Sequence, residues 1–267
     1  MRTLWAFFRR DANIHTSYKL GFVMDLLGVF FTAATYYYVA KMFGAAAAPF
    51  LRAYGGDYFA FVLIGVAFAA YQNVGLNSFS QSLRQEQFLN TLEPLLVTPV
   101  STPRFLIGSS LWDFLSATVR VALYLGVGAA FFGFRLSQTR LAPALAVLVL
   151  TLLAFMGLGV FAASFIMRFK RGNPVTWIME ATSNLLGGVL FPLAALPPGL
   201  KRAAFFIPMT HALEGLRQTL LMGAGWNVIV PQLVWLSVFI AVIWPLGVFT
   251  FGRAVRRARA DGTLGHY

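Results

Sequence analysis

Residues 85–108 read QEQFLNTLEPLLVTPVSTPRFLIG, and apolar runs of membrane-spanning length flank this stretch on both sides. Phe88, Leu92, Leu95 and Leu96 fall at i, i+4, i+7 and i+8, which is one face of a helix. Gln85, Glu86, Gln87, Asn90 and Glu93 take the remaining positions. Pro94 has no N–H to give a helix passing through it, so the helix stops or restarts there. Pro99 and Pro103 repeat the punctuation, and Thr102-Pro103 reads as an N-cap followed by proline at the first helical position. The pattern predicts a short amphipathic helix, a proline-broken elbow and a new helix. Two uses fit it equally: a shaped knob for a partner at the membrane face, or a helix lying in the lipid headgroups.

The flanks fix the class. Over 267 residues, 58% are hydrophobic and 11% charged, with a mean hydropathy of +0.71. A soluble domain is not that apolar, and continuous apolar runs are not the alternating strands of a barrel. The chain therefore reads as an all-α polytopic membrane protein, a single domain over 1–267. Its net charge of +12 sits at the ends of the apolar runs, which points to topology and anionic lipid, with no nucleic-acid partner. There is no cysteine, which removes disulfides and thiolate chemistry. Residues 1–20 alternate Leu4, Trp5, Phe7 and Phe8 with arginines and look like an interfacial helix; no removable signal peptide is expected.

Six spans are predicted, at about 21–43, 58–79, 114–134, 141–167, 175–193 and 228–251. Gly55-Gly56 marks a turn before the second. Residues 194–225 are cut by Pro197, Pro198 and Pro208, too broken to cross and too apolar for an ordinary loop. They are expected to form a helical hairpin dipping back into the outer leaflet. Thirteen Lys and Arg fall on the side holding both ends and seven on the other, so both ends are expected in the cytoplasm.

Four charges lie in or beside apolar runs: Asp25, Asp113, Arg120 and Glu180. Arg120 and Glu180 each sit seven residues beyond the expected entry of their spans, which makes them candidate partners at one depth. The alternative is that each is accommodated alone. His15, His211 and His266 are scattered, so no metal site is expected. Gly108-Ser109-Ser110 reads as small-residue helix packing. Phe31, Tyr36, Tyr71 and Phe191 are candidates to line an apolar path, with packing the plainer use of each. Nothing matches G-x-x-x-x-G-K-[ST], so the chain carries no P-loop for ATP.

The motif TLE-x-LL-x-TP at 91–99 resembles the cytoplasmic loop of ATP-binding-cassette exporter permeases of the type-2 family. A second patch at 187–217 is similar to that family as well. It holds Phe191-Pro192, Leu196-Pro197 and the spaced Pro208, Thr210, Leu213, Glu214 and Arg217. Asn90 departs from the usual glycine and His211 from the commoner aromatic. The resemblance implies a six-span permease subunit of the bacterial inner membrane, exporting an amphipathic or lipid-linked substrate. It also implies separate ATPase subunits that hold ATP and magnesium, and a second permease half, identical or not. On that reading Gln85, Glu86, Leu92, Glu93, Pro94 and Leu95 form the coupling surface to the ATPase. Phe191, Pro192, Pro208, Glu214 and Arg217 form an outer gate. No catalytic residue or cofactor of the chain's own is implied. The rival classes are a membrane-embedded lipid-modifying enzyme, which needs a nucleophile–base or carboxylate pair, and a secondary transporter, which tends to show inverted repeats.

Overall fold

The computed structural model describes residues 9–10, 12, 19–88, 102–136, 139–169 and 174–260. Every regular element among them is helical. The long helices are α1 (Lys19–Ala47), α2 (Tyr58–Phe88), α3 (Thr102–Phe132) and α4 (Leu141–Phe169). Three shorter ones follow, α5 (Pro174–Leu186), α6 (Pro198–Ala204) and α7 (Pro208–Leu221), and then the long α8 (Trp226–Ala260). Five helices among the described residues are long and apolar enough to cross a membrane: α1 to α4 and α8. Each has at least 29 residues, about 44 Å of helix against an apolar core of about 30 Å.

α2 is the centre of the bundle. Phe61, Leu63, Ile64, Ala67, Leu76 and Phe79 on its several faces are buried, as expected of a helix enclosed all round. Its start is set by Asp57, whose Oδ1 accepts from the backbone N–H of Phe59 (2.8 Å) and Ala60 (3.2 Å). Gly55 (φ 86°) and Gly56 (φ 78°) turn the chain into that cap, where the sequence places a turn. α3 begins at Thr102, where Thr102-Pro103 predicts a start.

Lipid tails are as apolar as leucine, so burying leucine drives little helix association in a bilayer; close backbone approach matters more. The α2–α4 crossing is built this way. A Cβ on Gly159 would collide with the carbonyl oxygen of Gly75, and one on Gly75 would collide with Phe155. α4 packs on α8 by the same means, a Cβ on Gly247 falling 2.9 Å from the carbonyl oxygen of Gly157.

One expected span is corrected. The apolar run 175–193 was expected to be helical throughout, but α5 stops at Leu186 after 13 residues, about 20 Å. Gly187 N–H closes the last turn on Ser183 (2.9 Å), and Gly188 takes φ 79°. Hydropathy continues through this pair of glycines; the helix does not. The chain beyond still follows α2. Gln72 on α2 donates to the carbonyl of Met179 (3.2 Å), Gly65 lies against the carbonyl of Val189, and the Tyr58 hydroxyl donates to that of Leu190 (3.3 Å). From Gln72 to Tyr58 this accompanies about 21 Å of α2.

Residues 194–225 hold α6 and α7, both too short to cross. The far end of α7 is pinned to the start of α4, with Arg140 N–H on Thr219 O (3.1 Å) and the Thr139 hydroxyl on Leu220 O (3.2 Å). Its near end sits elsewhere: Phe205 and His211 pack on Trp235, and His211 on Phe239. Those partners lie about 14–20 Å along α8 from its start at Trp226. The expected interfacial helix at 1–20 lies almost wholly outside the described residues.

Candidate functional site

Two polar clusters interrupt the apolar bundle, one at the start of α2 and one from its midpoint onward. The first is centred on Arg217 of α7, 2% exposed. Its Nη1 donates to Gly188 O (2.8 Å), its Nη2 to Val189 O (3.2 Å) and Phe61 O (2.9 Å), and its Nε to Phe61 O (3.2 Å). The guanidinium also lies over the Phe61 ring, 3.4 Å from its centre. One rigid fork thus ties the first turn of α2 to the carbonyls that the break after α5 leaves without helical partners. Glu214, one turn earlier on α7, accepts from the Tyr54 hydroxyl and from Gln218 Nε2 (2.7 Å).

Of the residues expected at an outer gate, Glu214 and Arg217 therefore meet in one cluster. Pro192 is buried and precedes the 3-10 turn Leu193–Ala195; Phe191 is exposed. Pro208 opens α7 at its other end, beside Thr210, whose hydroxyl donates to Ala204 O (2.7 Å). Sequence reasoning missed Tyr54, Phe61 and Gly188. The Gly187-Gly188 pair inside an apolar run was the available signal for an opened backbone.

The second cluster lines a cavity of about 1030 Å³ between α1, α2 and α3. Asn73, Asn77 and Gln81 recur every four residues along α2 and, with Ser78, face it. Asp25 enters from α1, and Asp113 and Arg120 from α3. Here the candidate pair is corrected. Arg120 Nη2 lies 3.2 Å from both carboxylate oxygens of Asp25, not on Glu180. Glu180 Oε1 instead accepts from Asn73 Nδ2 (3.0 Å) and Asn77 Nδ2 (2.9 Å). Equal depth gave the height of the two charges but not their bearing around the bundle: α3 turns Arg120 toward α1, while α5 lies along α2. Asp113 accepts from the Ser78 hydroxyl. The four charges expected within the spans thus stand near one another, and Arg120 and Glu180 have different partners from those expected.

The coupling residues fall partly out of view. Gln85 and Glu86 lie in the last turns of α2, with Gln85 exposed. Leu92, Glu93, Pro94 and Leu95 lie outside the described residues. Of the candidate path aromatics, Phe31 and Phe191 are exposed and Tyr36 is half-buried. Tyr71 is core, its hydroxyl donating to Thr118 Oγ1 (2.9 Å).

A family profile described as "ABC-2 type transporter" matches residues 2–221, across both clusters and the 85–108 stretch. The chain belongs to the ABC-2 type transporter family. Among curated proteins it is similar to Nodulation protein J of Rhizobium leguminosarum bv. viciae, 25% identical over 64% of this chain and 65% of that protein. It is also similar to the probable multidrug ABC transporter permease YbhR of Escherichia coli K12, 25% identical over 64% of this chain and 44% of that protein. The match thus spans under two thirds of the first relative's length and under half of the second's. In this ABC-2 family chain the polar contacts described above gather at the start and along the second half of one central helix.

Proposed function

We propose that this chain is the permease half of an ABC exporter, driven by separate ATPase subunits and working beside a second permease half. Its substrate is amphipathic or lipid-linked and moves outward. The observation that carries the reading is the continuity of α2. A single 31-residue helix joins Phe61, whose carbonyl Arg217 grips, to Gln85 at the entrance of the 85–103 segment. That is about 36 Å of unbroken rod. A partner pushing on the 85–103 segment as it closes around ATP would move the Arg217 cluster without an intervening hinge.

Six crossings with both ends in the cytoplasm complete the proposal. In this topology α5 and its unwound tail form the fifth crossing, supported by their contacts along α2 from Asn77 to Tyr58. Residues 194–225 form the outer re-entrant hairpin. Its far end is pinned to the start of α4, and Phe205 in its middle packs against Trp235. The excess of Lys and Arg beside the termini supports the orientation.

The test is co-purification followed by transport. The permease should pull down an ABC ATPase, and the complex in sealed vesicles should move a labelled amphiphile only with ATP present. Movement by the permease alone, or an ion gradient replacing ATP, would overturn the exporter reading.

A further inference from the structure

At one end of the bundle the last turns of α2 and α4 and the first turns of α5 enclose a pocket of about 260 Å³. That is just under the roughly 300–1,000 Å³ typical of drug-sized ligands, so it suits a small polar group and not a whole lipid. Asn77, Ser80, Gln81 and Arg84 reach it from one face of α2, at i, i+3, i+4 and i+7. Thr176, Trp177 and Glu180 reach it from α5. Its charged lining is balanced, one guanidinium to one carboxylate. Among the described residues neither of these two has an ion-pair partner. Arg84 Nε is buried with no hydrogen-bond partner, and a buried charged donor left so is costly until something fills it. Glu180 Oε1 accepts from Asn73 and Asn77, neutral amides that satisfy one oxygen and cancel no charge.

The pocket also lies at headgroup depth. The 31 residues of α2 make about 46 Å of helix, which overshoots an apolar core of about 30 Å by about 8 Å at each end. Arg84 stands about 6 Å from the described end of α2 at Phe88. Trp177, 71% exposed, is an indole placed where indoles anchor to the interface. With Ile178, Ala181 and Leu185 it forms one exposed apolar stripe leading from the pocket along α5.

We infer that this pocket holds the headgroup of a zwitterionic phospholipid with a primary ammonium. The phosphodiester takes Arg84, whose fork suits phosphate, and the ammonium brings its N–H donors to Glu180. An acyl chain lies along the α5 stripe. An anionic headgroup without an amine would satisfy Arg84 but meet Glu180, and a quaternary ammonium would bring no N–H at all. Arg84 adjoins Gln85, so the bound lipid ties the exit of α2 toward 85–103 to the start of α5. Binding is independent of the exporter reading; only the cytoplasmic leaflet rests on the proposed orientation.

The test uses the dioleoyl forms of phosphatidylethanolamine, phosphatidylcholine and phosphatidylglycerol, with dioleoylglycerol as the lipid lacking phosphate. Each is titrated into the delipidated full-length protein in detergent and its bound fraction read by native mass spectrometry. Phosphatidylethanolamine should bind roughly tenfold more tightly than the others, the scale of one charge-assisted contact. Arg84→Gln should weaken all three phospholipids. Glu180→Gln should lower phosphatidylethanolamine to the level of phosphatidylcholine and tighten phosphatidylglycerol, a gain that a misfolded variant cannot produce. Lys201→Gln, exposed on α6, should change nothing. The inference falls if the parent protein binds the three phospholipids alike, if dioleoylglycerol competes equally, or if neither variant alters the preference. Displacement of the lipid by millimolar inorganic phosphate would also overturn it, leaving a site for free anions. Headgroup selectivity in a protein that recruits no ATPase would keep the site and sink the exporter. An ATPase-driven protein with no headgroup preference would do the reverse.

Discussion

Arg120 on α3 and Asp25 on α1 face each other at 3.2 Å, although the two residues are 95 positions apart in the chain. Each is a charge inside an apolar helix, where an unpaired one costs at least about 2.5 kcal/mol on insertion scales. Replacing one strands the other; replacing both does not. Arg120→Leu should therefore lower the thermal midpoint of the purified protein. Adding Asp25→Leu should recover part of the loss, and adding Glu180→Leu should recover none. Recovery with Glu180→Leu in place of Asp25→Leu would show that the pairing is the other one.

Arg217 should be far less tolerant. It holds the carbonyls of Phe61, Gly188 and Val189 at once. Lysine offers a point charge without the planar fork and cannot reach all three. Arg217→Leu should cost on the order of 3 kcal/mol, and Arg217→Lys a large fraction of that. Fluorescence-detected thermal unfolding in detergent reads both. A lysine variant as stable as the parent would mean that charge alone suffices.

Glycines separate contact from mere helix content. A Cβ at Gly65 would strike the carbonyl oxygen of Val189, whereas one at Gly28 meets nothing within 4 Å. Gly65→Ala should destabilise by about 1–3 kcal/mol, the usual cost of overpacking. Gly28→Ala should be neutral or stabilising by up to about 1 kcal/mol, as alanine favours helix over glycine. Equal thermal midpoints for the two variants would mean that the tail after α5 yields freely.

The coupling proposal has its own signature. Glu93→Ala or Leu92→Asp should leave the permease folded and the partner bound, while ATP hydrolysis no longer drives transport. The ratio of substrate moved to ATP hydrolysed, measured in vesicles, should fall several-fold. Unchanged transport in both variants would locate the contact outside 85–103.

The proposed topology can be checked without background because the chain has no cysteine. Cysteines placed at Gly199 and at Gly225 should both react with an impermeant thiol reagent applied from outside intact cells. Gly199 has open space around it, and Gly225 is crowded only by the end of the Arg140 side chain. Labelling of either site only after the cytoplasm is opened would exclude the six-crossing arrangement.

What the sequence disclosed follows from what each signal measures. Apolar runs reported the four long helices from 19 to 169 and the last one well, because length and composition alone decide whether a helix can cross. Thr102-Pro103 and Gly55-Gly56 placed a helix start and a turn, since both act through local backbone chemistry. Glu214 and Arg217 were visible as charges in a patterned motif. Their partners were not: Tyr54 is 160 residues from Glu214, and the carbonyls of Gly188 and Val189 carry no side-chain mark. The end of α5 escaped for a related reason. A hydropathy scale reads straight through Gly187-Gly188, whereas the backbone leaves the helix there. Asn73 and Asn77 went unremarked within an otherwise apolar helix, though their spacing puts them on one face.

If α2 carries a push between Gln85 and the Arg217 grip, as proposed, the coupling between ligands bound at its two ends is reciprocal. Influence along such a helix has no preferred direction. If nucleotide on the partner alters how firmly Phe61 is held, then a ligand that stabilises the Arg217 grip must alter the partner's affinity for nucleotide by an equal factor. On that proposal, a binder held by the exposed residues beside the cluster, such as Arg52 and Gly55, would act as an effector of the ATPase without ever touching it.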